Sequence, residues 1–323
     1  MNQPNNAIPR KESSQENALP PTEQQSQASN TKMSKSLSSK PDAHKFKDTP
    51  KKNPVYSPIL EEPSIEYAKF NLVWKNLKIS VKETGKQIIP NFSGLLQSGS
   101  LVAILGASGS GKTTFMNYIS GYTRNDLEVD CTLKVNNVEM KNIKALKRIS
   151  GYVFQEDVLI PELTVYETLH YQAKLKLPIG SNYDSAINLV VGLMNLQKCI
   201  DQKIGDGLNR GLSGGQRRRV SIACELVTDP YLFLLDEPTT GLDSENAENV
   251  VDSLRTLAGQ GKLVVTTIHQ PSSEILAMFD KIIILHQGVK VYDGPFESMK
   301  PWFLERGFSF PKFANPCEFI MNL

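Results

Sequence analysis

Nine consecutive residues, Gly106-Ala107-Ser108-Gly109-Ser110-Gly111-Lys112-Thr113-Thr114, have the types and spacing of a phosphate cradle. Glycines let successive backbone N–H groups turn inward around one anion, and a following helix adds its positive N-terminal end. Lys112 offers a point charge to outer phosphates, and the Thr113 hydroxyl is a ligand for Mg²⁺. A Gly/Ser stretch alone is an ordinary surface loop. Here the apolar run Leu101 to Leu105 precedes it and a helical stretch, Thr113 to Ser120, follows. Strand, glycine loop and helix form the setting in which this pattern holds phosphate.

A second group of residues supplies the rest of a phosphoryl-transfer site. Leu232-Phe233-Leu234-Leu235-Asp236-Glu237 is an apolar strand ending in two carboxylates. Ligands of a parallel sheet sit off the carboxyl ends of its strands, so Asp236 is placed to share a Mg²⁺ with Thr113. Glu237, one residue on, is placed to orient and polarise a water. Gln155 ends the strand Gly151 to Phe154 and offers its amide to the metal or to its water. His269 follows the strand Leu263 to Ile268 and can donate to a terminal phosphate; Asp243 closes Thr239-Thr240-Gly241-Leu242-Asp243. Each of these is unremarkable alone, and His44, His170 and His286 carry no such context. Leu212-Ser213-Gly214-Gly215-Gln216-Arg217 is a second glycine turn feeding a helix, Arg217 to Leu226. That makes a second anion site, although one triphosphate needs one cradle. Either it is a plain Gly-rich helix cap, or it covers the nucleotide of another subunit, which is the reading preferred here.

These parts need a scaffold. The chain has 323 residues, 22% charged and 40% hydrophobic, with net charge +2, an ordinary globular balance that demands neither nucleic acid nor an anionic surface. No run approaches the ~18 apolar residues of a membrane span, and no secretory leader is read at Met1. Cys131, Cys199, Cys224 and Cys317 match no metal or redox spacing, so reduced, packed thiols are expected and no zinc. Residues 1–63, rich in Ser, Gln, Asn, Pro and Lys, read as a disordered tether. Order is expected from near Tyr67: strands at Phe70–Trp74, Leu77–Val81 and Gln87–Ile89, turns at Gly94 and at Ser98–Ser100, and strands at Thr132–Val138 and Ile149–Phe154. Leu163–Leu175 and Tyr183–Leu196 carry helical spacing, marking a helical insertion over about 157–226. After Tyr231, strands alternate with helices Ser244–Ala258 and Phe296–Arg306 and with a hairpin return at Val289–Tyr292, the rhythm of a doubly wound sheet.

Taken together and in this order, the motifs resemble those of ATP-binding cassette (ABC) ATPases. Gly106 to Thr114 resembles their Walker A loop, Gln155 the Q-loop, Leu212 to Arg217 the signature, Leu232 to Glu237 Walker B, Gly241 to Asp243 the D-loop and His269 the switch histidine. The resemblance covers about Tyr67 to Leu323. It implies an α/β fold: a RecA-like parallel-sheet core, a small antiparallel β subdomain and a helical subdomain, together at 64–323. It further implies ATP and Mg²⁺ as cofactors, Lys112, Glu237 and His269 as catalytic residues with Glu237 the general base, and Thr113, Gln155 and Asp236 on the metal. ATP would lie between the Walker A loop of one module and Ser213 and Gly215 of its mate, in a homo- or heterodimer closed by ATP, with Gly214, Gln216 and Asp243 also counted among the nucleotide-binding residues.

Thr164-Val165-Tyr166-Glu167-Thr168-Leu169, Arg210-Gly211, Ile268-His269-Gln270-Pro271-Ser272 and Asn315-Pro316-Cys317-Glu318-Phe319 are similar to the G subfamily of white-type half transporters. That similarity implies the motor of a transporter, membrane-associated at the cytoplasmic face, with the Glu167 helix pressing on a membrane-spanning partner half. Two departures stand out: the chain stops at Leu323 without that half, and no aromatic lies near Ile79, where many ABC modules stack adenine. Trp74 is a poor substitute. The alternative from another class is a soluble, non-transport ABC factor; those usually resemble tandem modules or carry long coiled coils, and neither pattern is present.

Overall fold

The computed structural model describes residues 70–206, 211–310 and 319–320, all inside a unit running from Glu61 to Leu323. The expected N-terminal tether, the onset of order at Tyr67, Arg210, and 315–318 with Cys317 lie outside the described residues. In chain order the elements are β1 (Asn71–Val81), β2 (Gln87–Gln97), β3 (Ser100–Leu105), α1 (Lys112–Ile119), β4 (Leu127–Val135), β5 (Val138–Glu139) and β6 (Ser150–Val153). Helices α2 (Val165–Lys176), α3 (Tyr183–Leu193) and α4 (Gly214–Leu226) follow. The last part holds β7 (Leu232–Leu235), α5 (Ser244–Gly259), β8 (Leu263–Thr267), α6 (Ser273–Ala277), β9 (Lys281–His286), β10 (Val289–Gly294) and α7 (Phe296–Leu304).

The continuous apolar runs became the inner strands of one sheet, ordered β10-β9-β3-β8-β7-β6. All its pairings are parallel except the β9–β10 hairpin. Strands covered on both faces need no polar alternation, and successive side chains still go to opposite sides. Leu101, Ala103 and Leu105 of β3, with Phe233 and Leu235 of β7, enter one core with Val250, Val251 and Leu254 of α5 and the helices α2 to α4. Val102 and Ile104, with Leu232 and Leu234, enter a second core with Phe115, Met116 and Ile119 of α1. Burial of each such Leu, Ile or Phe contributes about 1.5–3 kcal/mol, so the sheet is held from both sides and its strand ends are fixed in space.

The second core is roofed by an antiparallel sheet, β2-β1-β4-β5, and here the sequence expectations need correction. The two short strands at Phe70–Trp74 and Leu77–Val81 are one strand. It is interrupted where Asn76 takes φ +53° and the register with both neighbours shifts. Gly94 is no turn; it pairs with Trp74 in mid-strand. Its missing side chain admits the indole, since a Cβ there would stand 2.2 Å from Trp74 Cζ2. Trp74 is buried, edge-on to Phe92 and tilted against Phe115, so it cannot lie under a base. The strand expected at Thr132–Val138 instead runs from Leu127 to Val135 and turns at Asn136-Asn137, both at positive φ, the conformation of a two-residue hairpin. Lys281 and Lys290 donate to the Leu95 and Ser93 carbonyls of β2, tying this sheet to the β9–β10 hairpin.

Between β6 and β7 the chain is helical, as its spacing predicts. Thr164 and Glu167 close a capping box at the start of α2, and Ser213 with Gln216 closes another at α4, which therefore begins at Gly214 rather than Arg217. At the other end α7 stops at Leu304, short of the expected Arg306. No described helix is long and apolar enough to cross a membrane.

Candidate functional site

The carboxyl ends of β3, β6, β7 and β8 meet at one mouth. From β3 the chain enters the glycine loop, and Gly111, at φ +96°, turns it into α1; a side chain is strained in that left-handed conformation. The loop from Ser108 to Thr114 lines a cavity of about 630 Å³, together with Ile88, Gln155, Glu237, Thr240 and His269. Lys112 is 7% exposed, and its Nζ donates to the loop's own carbonyls, Gly106 at 2.7 Å and Ala107 at 3.1 Å. Burial pulls its pKa down, while Glu237 and Asp236 pull it up less strongly. The buried Ser110 Oγ has no partner among the described residues. A buried cation resting on carbonyls and an orphaned hydroxyl are the marks of a cradle shaped for an anion.

Asp236 follows β7 and is held from three sides. Its Oδ1 accepts from Thr267 Oγ1 at 2.5 Å, and its Oδ2 accepts from Thr113 Oγ1 at 3.2 Å and Tyr152 Oη at 3.5 Å. Burial first, then Asp236, raises the pKa of Tyr152, which keeps that phenol a donor. Glu237 takes φ +46°, a conformation that costs a non-glycine residue about 1 kcal/mol or more. Its N–H donates to Thr267 Oγ1 at 2.8 Å. Its Oε2 accepts from Gln155 Nε2 and from Thr240 Oγ1, each at 3.1 Å. His269, exposed after β8, reaches the same cavity. Thus Gly109 to Thr114, Gln155, Asp236, Glu237 and His269 are brought together, with Gly106 and Ala107 turned toward Lys112.

No group of three or more His, Cys, Asp or Glu that could hold a metal occurs among the described residues. Thr113 Oγ1, Asp236 Oδ2 and the Gln155 amide oxygen are nonetheless hard donors. A single carboxylate plus neutral oxygens fits Mg²⁺, which completes its shell with phosphates and water.

The remaining expected residues lie elsewhere. Ser213, Gly214, Gly215, Gln216 and Asp243 do not line this cavity. The Ser213 hydroxyl accepts from Gln216 N, and Gln216 Oε1 accepts from Ser213 N. Asp243 caps α5, accepting from the Asn246 backbone N–H at 2.8 Å and from Asn246 Nδ2 at 2.7 Å. Those two donors hold its carboxyl below the usual range. Asn246 lies against Gly215, where a Cβ would meet its Oδ1 at 2.3 Å. The signature turn and Asp243 are therefore neighbours on a surface separate from the cradle.

Sequence reasoning passed over Thr267, Thr240 and Tyr152. Thr266-Thr267 closing an apolar strand was the available signal for the first: a hydroxyl at a buried strand end needs a polar partner.

Comparison with known proteins identifies the family. A family model described as ABC transporter matches residues 89–240, and one described as ABC-2 type transporter matches residues 269–323. ABC transporter G family member 21 of Arabidopsis thaliana is 43% identical over 235 residues, 72% of this chain and 34% of that protein. The permease wht-3 of Caenorhabditis elegans is 39% identical over 259 residues, 78% of this chain and 42% of that one. ATP-binding cassette sub-family G member 5 of Mus musculus is 40% identical over 263 residues, 80% and 40%. The chain thus spans well under half the length of these curated relatives. The α/β fold, the loop that opens α1 and the two family models agree that this chain belongs to the ABC transporter family, carrying the ATP-binding module of its G-family members.

Proposed function

We propose that this module hydrolyses Mg²⁺-ATP to ADP and phosphate and drives a G-type transporter from the cytoplasmic face, paired with a second module and a membrane-spanning half. The observation that carries the reading is the hydrogen-bonded chain Thr113–Asp236–Thr267–Glu237–Gln155 at the mouth of the phosphate loop. It supports reading Glu237 as the acceptor of water protons, one residue beyond a carboxylate suited to Mg²⁺.

The residues divide the work as follows. Backbone N–H groups from Gly109 to Thr114 and the α1 N-terminus hold the β- and γ-phosphates, and Lys112 leaves its loop carbonyls for the phosphate oxygens. Thr113 and Asp236 would hold Mg²⁺, which would supply positive charge against the phosphate oxygens. Glu237 Oε2 is fixed by Gln155 and Thr240, and no described donor occupies Oε1. That oxygen receives the proton of the water attacking the γ-phosphorus as the bond to ADP breaks. His269 donates to a γ-oxygen. Preorganised groups of this kind act on the transition state without reorganising at the moment of reaction. The signature residues do not line this cavity, so Ser213 and Gly215 serve a partner module's nucleotide, and ATP closes the pair.

The experiment is Glu237→Gln. Turnover is expected to fall by about 10³-fold while ATP still binds and traps a dimer on a sizing column. Unchanged hydrolysis would remove Glu237 from its role.

A further inference from the structure

Helix α4 starts at the signature turn and passes behind the hydrolytic site. Five residues from its cap, Arg218 is 4% exposed. Its Nη1 donates to the Phe154 carbonyl at 2.7 Å, the Gln155 carbonyl at 3.2 Å and Asp157 Oδ1 at 2.7 Å. Its Nη2 donates to the Asp236 carbonyl at 3.1 Å. Asp157, with a side chain 19% exposed, is the counter-charge.

Taking a guanidinium out of water costs several kcal/mol, which pairing and hydrogen bonds offset; Arg218 Nε has no partner among the described residues, so Nη1 and Nη2 carry the bonding. One ion pair to Asp157 suffices for charge balance. The other three bonds go to main-chain carbonyls, and those carbonyls belong to the two segments whose side chains meet over the cavity. Gln155 reaches Glu237 Oε2 at 3.1 Å, and the Asp236 carbonyl is the peptide link immediately before Glu237. A planar fork can serve both segments at once; a lysine ammonium is a single point and cannot.

We infer that Arg218 is a positioning residue: it sets the Gln155–Glu237 distance from the helix that carries Ser213 to Gln216, so that movement of the signature turn is transmitted to the chain's own hydrolytic carboxylate. This rests on the ATPase reading above. Arg218 reaches Gln155 and Asp236 only through their main-chain carbonyls, not through the side-chain atoms expected at the metal or nucleotide, so it acts on turnover rather than on binding. The coupling runs from the surface that caps a partner's nucleotide to the site that cleaves this chain's own.

The test uses the full chain with Arg218→Lys, which keeps the charge, beside Arg218→Gln. For the lysine variant kcat is expected to fall by about 10- to 100-fold, the scale of an ångström of misplacement, with KM and the affinity for a fluorescent ATP analogue unmoved. A purely structural arginine predicts the opposite split: a lower Tm with kcat per folded molecule preserved, and that result overturns the proposal. A crystal structure of the nucleotide-free lysine variant needs no turnover. It is expected to show the Gln155 amide out of hydrogen-bond reach of Glu237, and an intact contact overturns the proposal. Absence of ATPase activity in the unmodified chain would refute the ATPase reading instead, leaving the crystallographic outcome to decide the role of Arg218.

Discussion

Thr267→Val isolates one oxygen atom. Thr267 is fully buried in β8, and its hydroxyl both donates to Asp236 Oδ1 at 2.5 Å and accepts the Glu237 N–H at 2.8 Å. Valine nearly matches its shape and deletes both bonds. A hydrogen bond to a charged group is worth about 1.5–3 kcal/mol, and an orphaned N–H costs about 1–3 kcal/mol. The two losses share one atom, and Asp236 keeps Thr113 and Tyr152 as donors, so about 2–4 kcal/mol of stability is expected to go. The functional loss is separate. Removing a partner that orients a metal-binding carboxylate typically costs about 10- to 100-fold in metal affinity or activity. The assay is ATPase rate against Mg²⁺ concentration at saturating ATP: the half-activating concentration should rise and the plateau fall. Thr267→Ser restores the hydroxyl and gives up one methyl, about 1 kcal/mol, so it should keep the parent's Mg²⁺ response. Equal Mg²⁺ curves for the valine and serine variants would refute the idea that this hydroxyl orients Asp236.

Lys112→Ala deletes the charge that the loop holds over the cavity and should weaken ATP binding by about 2 kcal/mol or more, read by titration calorimetry; retained tight binding would count against the loop. Because Ser213 and Gly215 lie off the cavity, ATPase rate should climb more steeply than protein concentration, and strict proportionality down to dilute solution would contradict the paired site. Gly94→Ala drives a methyl into the Trp74 ring and should cost about 1–3 kcal/mol in chemical denaturation; full stability would mean that Trp74 is not wedged there. Burial pushes Cys224 up to about 12 and raises Cys199 as well. The reactive thiolate forms only as pH climbs toward those raised values, so at pH 8 both should react with Ellman's reagent only on unfolding, and prompt labelling of the native chain would refute the packing.

The parallel core was legible because its strands are buried on both faces: runs such as Leu101–Leu105 and Leu232–Leu235 stand out as apolar without any period. Glycine punctuation located the cradle, and acids at a strand end located Asp236 and Glu237. The antiparallel roof was harder to read. Gly94 looks like a turn until its neighbour across the ladder is known to be an indole, and no local pattern carries that information. Asn76 similarly breaks β1 without ending it. The start of α4 was misread although Ser213-Gly214-Gly215-Gln216 already spelled a capping box; the glycines suggested loop, whereas cap and helix packing outweigh the roughly 1 kcal/mol that each glycine costs. Thr267 and Arg218 were invisible for a different reason: their partners lie 31 and about 60 positions away, and only the fold brings them together.

What the fold adds is a division between parts that are rigid and parts that must move. Asp236 hangs from a fully buried strand, and Thr267, at the end of the adjacent one, holds its carboxylate and the Glu237 N–H at once. Both acids are thereby tied to the strand through one hydroxyl. Gln155 lies instead at the start of an exposed segment, held by Arg218 at its carbonyl and by a single hydrogen bond from its side-chain amide to Glu237. Glu237 itself sits in a left-handed conformation that an unconstrained chain would leave, and Gln270, beside His269, does the same at φ +45°. Strain of this kind persists where surrounding structure over-determines it, and both instances flank the same cavity. On the ATPase reading proposed above, the acid pair is the fixed part of the site, and control of hydrolysis would fall to the Gln155 segment and to α4 through Arg218.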